Sequence, residues 1–219
     1  MFPSLYGVSH DEPRLPFFTG TVVWRLSGDA ESHGGFREEI ILAKKQSREV
    51  LGKGKFLRLV REGRWEFVER SNARGAVAVI AVTDAREFVL TDQFRPAVGC
   101  RVIDLPAGLS GDMPGQQDEA FALSALRELI EETGYHAEQL EHLADCPSSP
   151  GLTSEVISYF FARGVSKVKA GGGVEHEQIE VHTPKLRTIK RWLVEQVAAG
   201  KLIDPKVYAG LYFIVAQRR

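Results

Sequence analysis

The sequence predicts a layered α/β fold, because segments with a strand-like pattern alternate with segments that have a helical pattern. Two observations carry this prediction. Apolar or alternating runs, bounded by turn residues, recur between residues 55 and 163. Helix-like segments lie near residues 119–133 and twice more after residue 183. Strands interleaved with helices favour a sheet covered by helical layers.

Composition narrows the class of function. The chain has 219 residues, and 28 Lys and Arg nearly balance 29 Asp and Glu, so a broad positive field for nucleic acid is not expected. The longest purely apolar run, residues 76–82, is too short to cross a membrane. The first residues lack a basic leader followed by an apolar segment. We therefore expect a cytoplasmic protein without a membrane partner, in which Cys100 and Cys146 are free thiols.

The strands are predicted in chain order. Residues 1–47 receive no assigned role. KFLRLVR and RWEFVER then form a hairpin joined by Glu62-Gly63, with Phe56, Val60, Trp65 and Phe67 on one face. GAVAVIAV is predicted to be a strand buried on both faces, followed by EFVLTDQFR and later VISYFFARG. PKLRTIKRWLVEQVAAG and DPKVYAGLYFIVAQ are predicted to be helices, the first ending at Gly200.

The segment DEAFALSALRELIEETGY predicts a helix from about Glu119 to Thr133, with Asp118 as its N-cap and Gly134 as its left-handed C-terminal residue. Helical spacing predicts one apolar arc and, on the opposite side, a row of carboxylates. The arc comprises Ala122, Leu123, Leu126, Leu129 and Ile130, and the row comprises Glu128, Glu131 and Glu132, with Arg127 beside them.

The carboxylate row has two interpretations. A solvated helix face is the common one, because Glu is mostly exposed in proteins. Against it, Glu128 and Glu132 are like charges four residues apart, an arrangement that costs a few tenths of a kcal/mol unless a cation compensates it. Ligands that offer only oxygen select a hard cation, Mg²⁺ first and Mn²⁺ second.

RELIEETG, with Glu119 eight positions before Arg127, resembles the signature of the Nudix hydrolases, which bind metal ions and hydrolyse nucleoside diphosphates linked to another group. The loop before the helix departs from the strict spacing, since Met113 occupies the expected Gly position and the Gly of PAG is Gly108. The resemblance implies an α/β/α sandwich with a mixed sheet over residues 73–219. It also implies a small N-terminal antiparallel β domain over residues 1–72, used for dimerisation.

Further segments are similar to the ADP-ribose pyrophosphatase and nucleoside diphosphate sugar hydrolase group of that family. These segments are DQFRPAVG, IDLPAGL and SSPGLTSEV, and Pro150 lies fifteen positions after Tyr135, a spacing associated with ADP-ribose hydrolases. The implied reaction converts ADP-ribose and water to AMP and ribose 5-phosphate. The alternatives are hydrolysis of GDP-sugars or other ADP-linked nucleotides such as FAD, and a Nudix-like sensor that binds ADP-ribose without cleaving it.

The resemblance assigns roles to the signature residues. Glu128 and Glu132 would be the principal metal ligands, joined by the backbone carbonyl of Ala107, and Glu131 would be a ligand or an orienting carboxylate with a catalytic role. Glu119, Arg127 and Gly134 would have structural roles, with Glu119 and Arg127 holding the loop against the helix.

The remaining implied roles concern the substrate and water. Arg95 would bind the diphosphate, for which a bidentate guanidinium is suited. Glu155 would hydrogen-bond the terminal ribose, while Trp65 and Phe56 would stack on adenine between two subunits or, alternatively, belong to the hairpin core. In the segment GGGVEHEQIEVH, Glu177 would be the general base and Glu175 the second candidate. The alternative is an acidic loop without a catalytic role.

Overall fold

A computed structural model describes residues 47–112, 115, 119–173 and 178–217 of the chain. Residues 1–46, and with them most of the extension before the predicted hairpin, lie outside the described residues, as do Asp118, Glu175 and Glu177. The strands, in chain order, are β1 (Arg48–Lys53), β2 (Leu57–Glu62), β3 (Trp65–Arg70), β4 (Gly75–Ala81), β5 (Leu90–Arg95), β6 (Cys100–Asp104), β7 (Ala107–Ser110), β8 (Tyr135–His136), β9 (Gln139–Pro147), β10 (Val156–Arg163), β11 (Ser166–Lys167), β12 (Glu180–His182) and β13 (Leu202–Ile203). The helices are α1 (Phe121–Glu128), α2 (Ile189–Ala198) and α3 (Pro205–Ala216).

Strands β1, β2 and β3 form an antiparallel sheet in that order. The hairpin between β2 and β3 is present, but its loop is shifted by one residue from the prediction. Because Glu62 pairs with Trp65, the two loop residues are Gly63 and Arg64, and Gly63 has a positive φ of 59°. Glycine at the first loop position accepts this left-handed conformation without strain, which fixes the turn there.

Strand β4 is the centre of the main sheet, whose order is β7-β4-β10-β9. It runs parallel to β10 and antiparallel to β7. Alternate β4 side chains enter two different cores: Val77 and Val79 pack with residues of α1, whereas Ala78 and Ile80 pack with residues of α2 and α3. Helices therefore cover both faces of the sheet, and the predicted three-layer α/β arrangement is confirmed.

A second sheet has the order β12-β5-β6-β13, and β8 pairs with β11. The C-terminal helices follow the prediction. A 3-10 turn, Leu186–Thr188, precedes α2, and Gly200 with φ of 84° follows it. Asp204 caps α3 by accepting a 2.8 Å hydrogen bond from the Lys206 N–H. Cys100 and Cys146 are free and half-buried.

The carboxylate-bearing helix differs from its prediction in two respects. It begins at Phe121 rather than Glu119, with Ala120 as N-cap, and its last turn, Leu129–Thr133, is a π-helical turn. We call residues 121–133 the carboxylate helix. Gly134 ends it in the predicted left-handed conformation, with φ of 70°.

The predicted apolar arc of this helix is confirmed only in part, since Leu129 is buried and Leu126 packs against the same core. Ala122 and Leu123 are exposed, and the buried positions are Ser124, Ala125, Leu129, Glu132 and Thr133. Small residues face inward because the helix packs closely against β4 and β7, where the Ser124 hydroxyl donates a 2.9 Å hydrogen bond to Ser110 Oγ. As a consequence one carboxylate, that of Glu132, points into the fold.

No helix in the described ranges is both long and apolar enough to traverse a lipid bilayer.

Candidate functional site

The candidate site lies where the carboxylate helix meets the start of β7. The N–H of Ala107, the first residue of β7, donates a 2.9 Å hydrogen bond to Glu132 Oε2. Glu132 is only 6% exposed, so this bond satisfies a carboxylate that is nearly removed from solvent. The structure thus brings together two residues of the predicted metal site, Ala107 and Glu132.

Glu128 lies against the next residue of the strand, Gly108. A Cβ atom at position 108 would lie 2.0 Å from the Glu128 carboxyl carbon, so only glycine leaves room for this side chain. Burial raises the pKa of Glu128 to about 7, although the positive charge of Arg127 acts to lower it. The negative charges of Glu131 and Asp112 raise this pKa further. A carboxylate in this environment is stabilised by additional positive charge.

Arg127 connects the acidic residues around the helix. Its Nη1 lies 2.9 Å from Glu128 Oε1 and 3.3 Å from Glu131 Oε2, and its Nη2 lies 3.6 Å from Glu119 Oε2. The same guanidinium donates a 3.2 Å hydrogen bond to the carbonyl of Leu109 in β7. Arg127 therefore ties the helix to β7 and to Glu119, and the structural roles of Arg127 and Glu119 in the site stay a prediction.

The donor set at this site is compatible with a divalent metal ion. Glu128, Glu131 and Glu132 provide oxygen ligands only, the type that Mg²⁺ and Mn²⁺ prefer. The raised pKa of the half-buried Glu128 carboxyl is what a carboxylate with too little compensating positive charge shows, and a further cation would stabilise its ionised form. Among the described residues, however, these three carboxylates do not form a group whose ligand atoms all lie within 4.8 Å of one another. Arg127 pairs with two of them, Glu128 and Glu131.

A second group of potential metal ligands lies on β5 and β12. In the described part of the chain, Asp92, Glu180 and His182 are the single trio whose ligand atoms all lie within 4.8 Å of one another. The oxygens of the buried Asp92 are already engaged, with Lys201 Nζ and Arg101 Nε each at 2.7 Å. Although burial acts in the opposite direction, hydrogen bonds from Lys201, Arg101 and His182 hold the pKa of Asp92 below its usual value. Two permanent cations thus compensate this carboxylate, and we assign the trio to an ion network that joins β5, β6 and β12.

The predicted substrate residues lie on strand ends and on the hairpin. Arg95 ends β5 with a side chain that is 46% exposed, and its Nη2 lies 3.8 Å from Asp104 Oδ2. Glu155 accepts a 2.5 Å hydrogen bond from Arg70 Nε of β3. Arg95 is therefore accessible to a ligand, whereas Glu155 is held by the N-terminal sheet.

Trp65 and Phe56 are 59% and 51% exposed, which argues against the alternative that they belong to the hairpin core. They lie at opposite ends of the hairpin, because Trp65 pairs with Glu62 next to the loop and Phe56 precedes β2. At 3.3 Å per residue the two are roughly 20 Å apart along the strands. One chain cannot clasp a base between them, so a shared base would require one ring from each of two chains.

The glycine-rich segment is anchored to the carboxylate helix. The N–H groups of Gly172 and Gly173 donate hydrogen bonds of 2.8 and 3.1 Å to the carbonyls of Glu132 and Glu131. The candidate bases Glu175 and Glu177 follow two and four positions later, outside the described residues.

Sequence reasoning missed two contacts of this site. Nothing in the sequence pairs Gly108 with Glu128, although Gly108 departs from the expected spacing of the loop glycine. Lys167, whose ammonium contacts the end of the carboxylate helix, gave no sequence signal, because its partner Thr133 lies 34 residues earlier.

Comparison with known proteins identifies the family. A family model described as NUDIX domain matches residues 72–206. The methanol dehydrogenase activator of Bacillus methanolicus is 38% identical over 104 residues, which are 48% of this chain and 54% of that protein. The ADP-ribose pyrophosphatase of Bacillus subtilis strain 168 is 38% identical over 92 residues, 42% of this chain and 47% of that protein. The chain thus spans about half the length of these two relatives.

A longer match is to the GDP-mannose pyrophosphatase of Escherichia coli strain K12, which is 30% identical over 160 residues, 68% of this chain and 76% of that protein. A solved structure described as the crystal structure of ADP compounds hydrolase superposes with a TM-score of 0.53 at 18% identity. It covers 67% of this chain and 80% of that chain, and it supports the α/β/α sandwich predicted from the sequence.

Proposed function

Because the chain belongs to the NUDIX domain family, we propose that it is a metal-dependent pyrophosphohydrolase that converts ADP-ribose and water to AMP and ribose 5-phosphate. The observation that carries the proposal is the packing of two signature glutamates on β7. Glu132 is bonded to the Ala107 N–H, and Glu128 is accommodated by Gly108. This arrangement presents two partly shielded carboxylates beside one strand, and carboxylate oxygens are the ligands that a hard cation prefers.

Glu128 and Glu132 would be the principal ligands, with the carbonyl of Ala107 as a third and Glu131 as a ligand or orienting carboxylate. Mg²⁺ is the expected cation and Mn²⁺ the second choice. When bound, such a cation neutralises charge on the diphosphate and lowers the pKa of a coordinated water. Arg127 would keep its structural role by holding Glu119 and the β7 backbone against the helix.

The hydrolytic step needs a phosphate-binding cation and a base. Arg95, half-exposed at the end of β5, would bind the diphosphate. Glu177, or Glu175 as second candidate, would take a proton from water as its oxygen bonds to one phosphorus, and the bridging P–O bond would break to release a phosphate monoester on each side. The hydrogen bond from Gly173 to the Glu131 carbonyl supports this assignment. Glu177 follows Gly173 by four residues, and four residues span at most about 14 Å, so the length of the chain would keep Glu177 within reach of the carboxylate helix.

The N-terminal hairpin would supply adenine recognition. Trp65 and Phe56 expose flat aromatic surfaces, and stacking is worth on the order of 1 kcal/mol per ring. Their separation along the hairpin fits a homodimer in which residues 1–72 would serve as the dimerisation domain and residues 73–219 as the catalytic domain. Glu155, held by Arg70, would contact the terminal ribose. Free thiols and a nucleotide substrate are consistent with action in the cytoplasm.

GDP-sugars are the second candidate substrate class. The specific observation in their favour is that the GDP-mannose pyrophosphatase match extends over 68% of the chain, further than the ADP-ribose pyrophosphatase match. FAD remains a third substrate to be tested. The sensor alternative is less favoured, because this chain retains all three signature glutamates.

A substrate panel tests the proposal. Initial rates with Mg²⁺ would be measured for ADP-ribose, GDP-mannose and FAD at matched concentrations, and the products would be identified by chromatography. We expect the highest kcat/KM with ADP-ribose and stoichiometric AMP and ribose 5-phosphate. A preference for GDP-mannose would refute the proposed substrate, and tight ADP-ribose binding without product would refute catalysis.

A further inference from the structure

The C-terminal end of the carboxylate helix is capped by a single later segment, residues 167–173, which we call the capping arm. The last carbonyls of a helix have no partner within it and must find donors elsewhere. Here four consecutive carbonyls, those of residues 131–134, accept hydrogen bonds from donors in the capping arm. Gly173 N–H donates to Glu131 O, Gly172 N–H to Glu132 O, Lys167 Nζ to Thr133 O, and the Val168 and Lys169 N–H groups to Gly134 O, at distances of 2.7 to 3.1 Å.

Lys167 differs from the other donors because it acts through its side chain. Its ammonium lies 2.7 Å from the Thr133 carbonyl oxygen and 3.1 Å from that of Ala170, and 4.6 Å from the centre of the Tyr135 ring. A cation in the last turn also opposes the negative end of the helix dipole. The other donors of the capping arm to the helix end are backbone amides, so Lys167 is the contact that substitution can remove selectively.

Close backbone packing leaves little freedom for the helix end to shift and recover the contact. A Cβ atom on Gly134 would lie 2.2 Å from the Lys169 carbonyl oxygen, and one on Gly171 would lie 2.3 Å from the Thr133 carbonyl carbon. Both glycines also have a positive φ, 70° and 77°. The capping arm therefore fits the helix end in one arrangement, which Lys167 completes.

We propose that Lys167 is a positioning residue for the metal-binding turn. It holds the π-helical turn Leu129–Thr133 in the geometry that directs Glu132 toward the Ala107 N–H. Without it the Thr133 carbonyl loses its ammonium donor, the last turn loosens, and the carboxylates of Glu131 and Glu132 lose their fixed position. This inference rests on the proposed function, since it assumes that these carboxylates bind a divalent cation.

The test compares Lys167→Met, Lys167→Arg and Lys169→Met in the full chain. Lys169 is the matched control, because it is an exposed lysine of the same arm that contacts the helix through its backbone. Binding of Mn²⁺ alone, without nucleotide, would be followed by the electron paramagnetic resonance signal of the free ion. Steady-state kcat and KM for ADP-ribose would be measured in parallel.

We expect Lys167→Met to weaken Mn²⁺ binding about tenfold and to lower kcat by a similar factor, as loss of groups that support metal ligands does. KM should change less than about threefold, since Lys167 would not touch the substrate. Lys167→Arg should restore most of the affinity because it keeps the charge and the donors, and Lys169→Met should behave as the unsubstituted chain does.

Unchanged Mn²⁺ affinity and kcat in a folded Lys167→Met protein would overturn the inference while leaving the proposed function intact. Conversely, a chain that hydrolyses no nucleotide, yet loses Mn²⁺ affinity only on substitution of Lys167, would refute the proposed function and retain the inference. If Lys167→Met does not fold, Lys167→Gln replaces it, because an amide can still donate to the Thr133 carbonyl but carries no charge. Weaker Mn²⁺ binding by Lys167→Gln than by Lys169→Gln would then support the inference, and equal binding would overturn it.

Discussion

Substitution of Gly108 by alanine tests whether the position of Glu128 matters for activity. Gly108 has no positive φ, so its backbone accepts alanine without strain. The added Cβ would lie 2.0 Å from the Glu128 carboxyl carbon, 2.3 Å from Oε1 and 2.5 Å from Cγ. All three atoms belong to a side chain that can rotate, so Glu128 must leave its present position while the strand remains.

The expected loss of kcat follows from these distances. Non-bonded carbon atoms approach to about 3.5 Å, so the carboxyl group of Glu128 must move by at least about 1.5 Å. A misplacement of about 1 Å in a catalytic group can cost about 100-fold in rate, equivalent to about 2.7 kcal/mol of transition-state stabilisation. We therefore expect kcat to fall at least 100-fold in Gly108→Ala. The free energy of unfolding should change by less than about 1 kcal/mol, because alanine is compatible with the strand.

The assay is hydrolysis of the best substrate over a range of Mg²⁺ concentrations, with urea unfolding to verify the fold. Gly151→Ala is the control, because a Cβ at position 151 meets no atom within 4 Å and the φ of Gly151 is not positive. A Gly108→Ala protein with the rate and Mg²⁺ dependence of the unsubstituted chain would refute the argument, since Glu128 would then act equally well from another position.

Three further outcomes are expected. Glu132→Gln should nearly abolish turnover and weaken the dependence of the rate on metal concentration. Glu177→Gln should lower turnover but largely keep Mn²⁺ binding. Full activity of Glu177→Gln would exclude this residue as the base. Trp65→Ala should raise KM for an adenine nucleotide about fivefold with little change in kcat, as loss of about 1 kcal/mol of stacking predicts; an unchanged KM would exclude Trp65 from the base-binding site. Asp92→Asn should lower the free energy of unfolding by about 3 kcal/mol at pH 7, because Lys201 and Arg101 lose a charged partner. Since the folded-state pKa of Asp92 lies below its usual value, this stability is present above about pH 4 and is lost as the pH falls through the lowered pKa. In urea unfolding from pH 7 to pH 3, the difference between Asp92→Asn and the unsubstituted chain should therefore narrow below about pH 4, and a constant difference would contradict the assignment.

The main elements could be predicted because each carries a strong local pattern. The uninterrupted apolar run of β4 predicts a strand covered on both faces, and the Gly at position 134 predicts the end of the carboxylate helix. The loop of the hairpin lies one residue later than the sequence predicts. The reason is that Gly63, with its positive φ, is the first loop residue and not the second.

The inward face of the carboxylate helix could not be predicted from regular 3.6-residue spacing. A π-helical turn changes the spacing after Glu128, and the bond between Ala107 and Glu132 joins residues 25 positions apart. Side-chain directions in this turn therefore depend on tertiary contacts that a local window does not contain. The contact between Lys167 and the Thr133 carbonyl could not be predicted either, because it depends on the path of the chain after β10.

The capping arm has a consequence for the order in which the protein matures. Its donors come from residues 167–173, after β9 and β10, so the end of the carboxylate helix stays incomplete until the ribosome has made that later stretch. A nascent or truncated chain that stops before residue 167 carries every signature glutamate but has none of these donors at the helix end. Completion of the site is thereby linked to synthesis of most of the polypeptide.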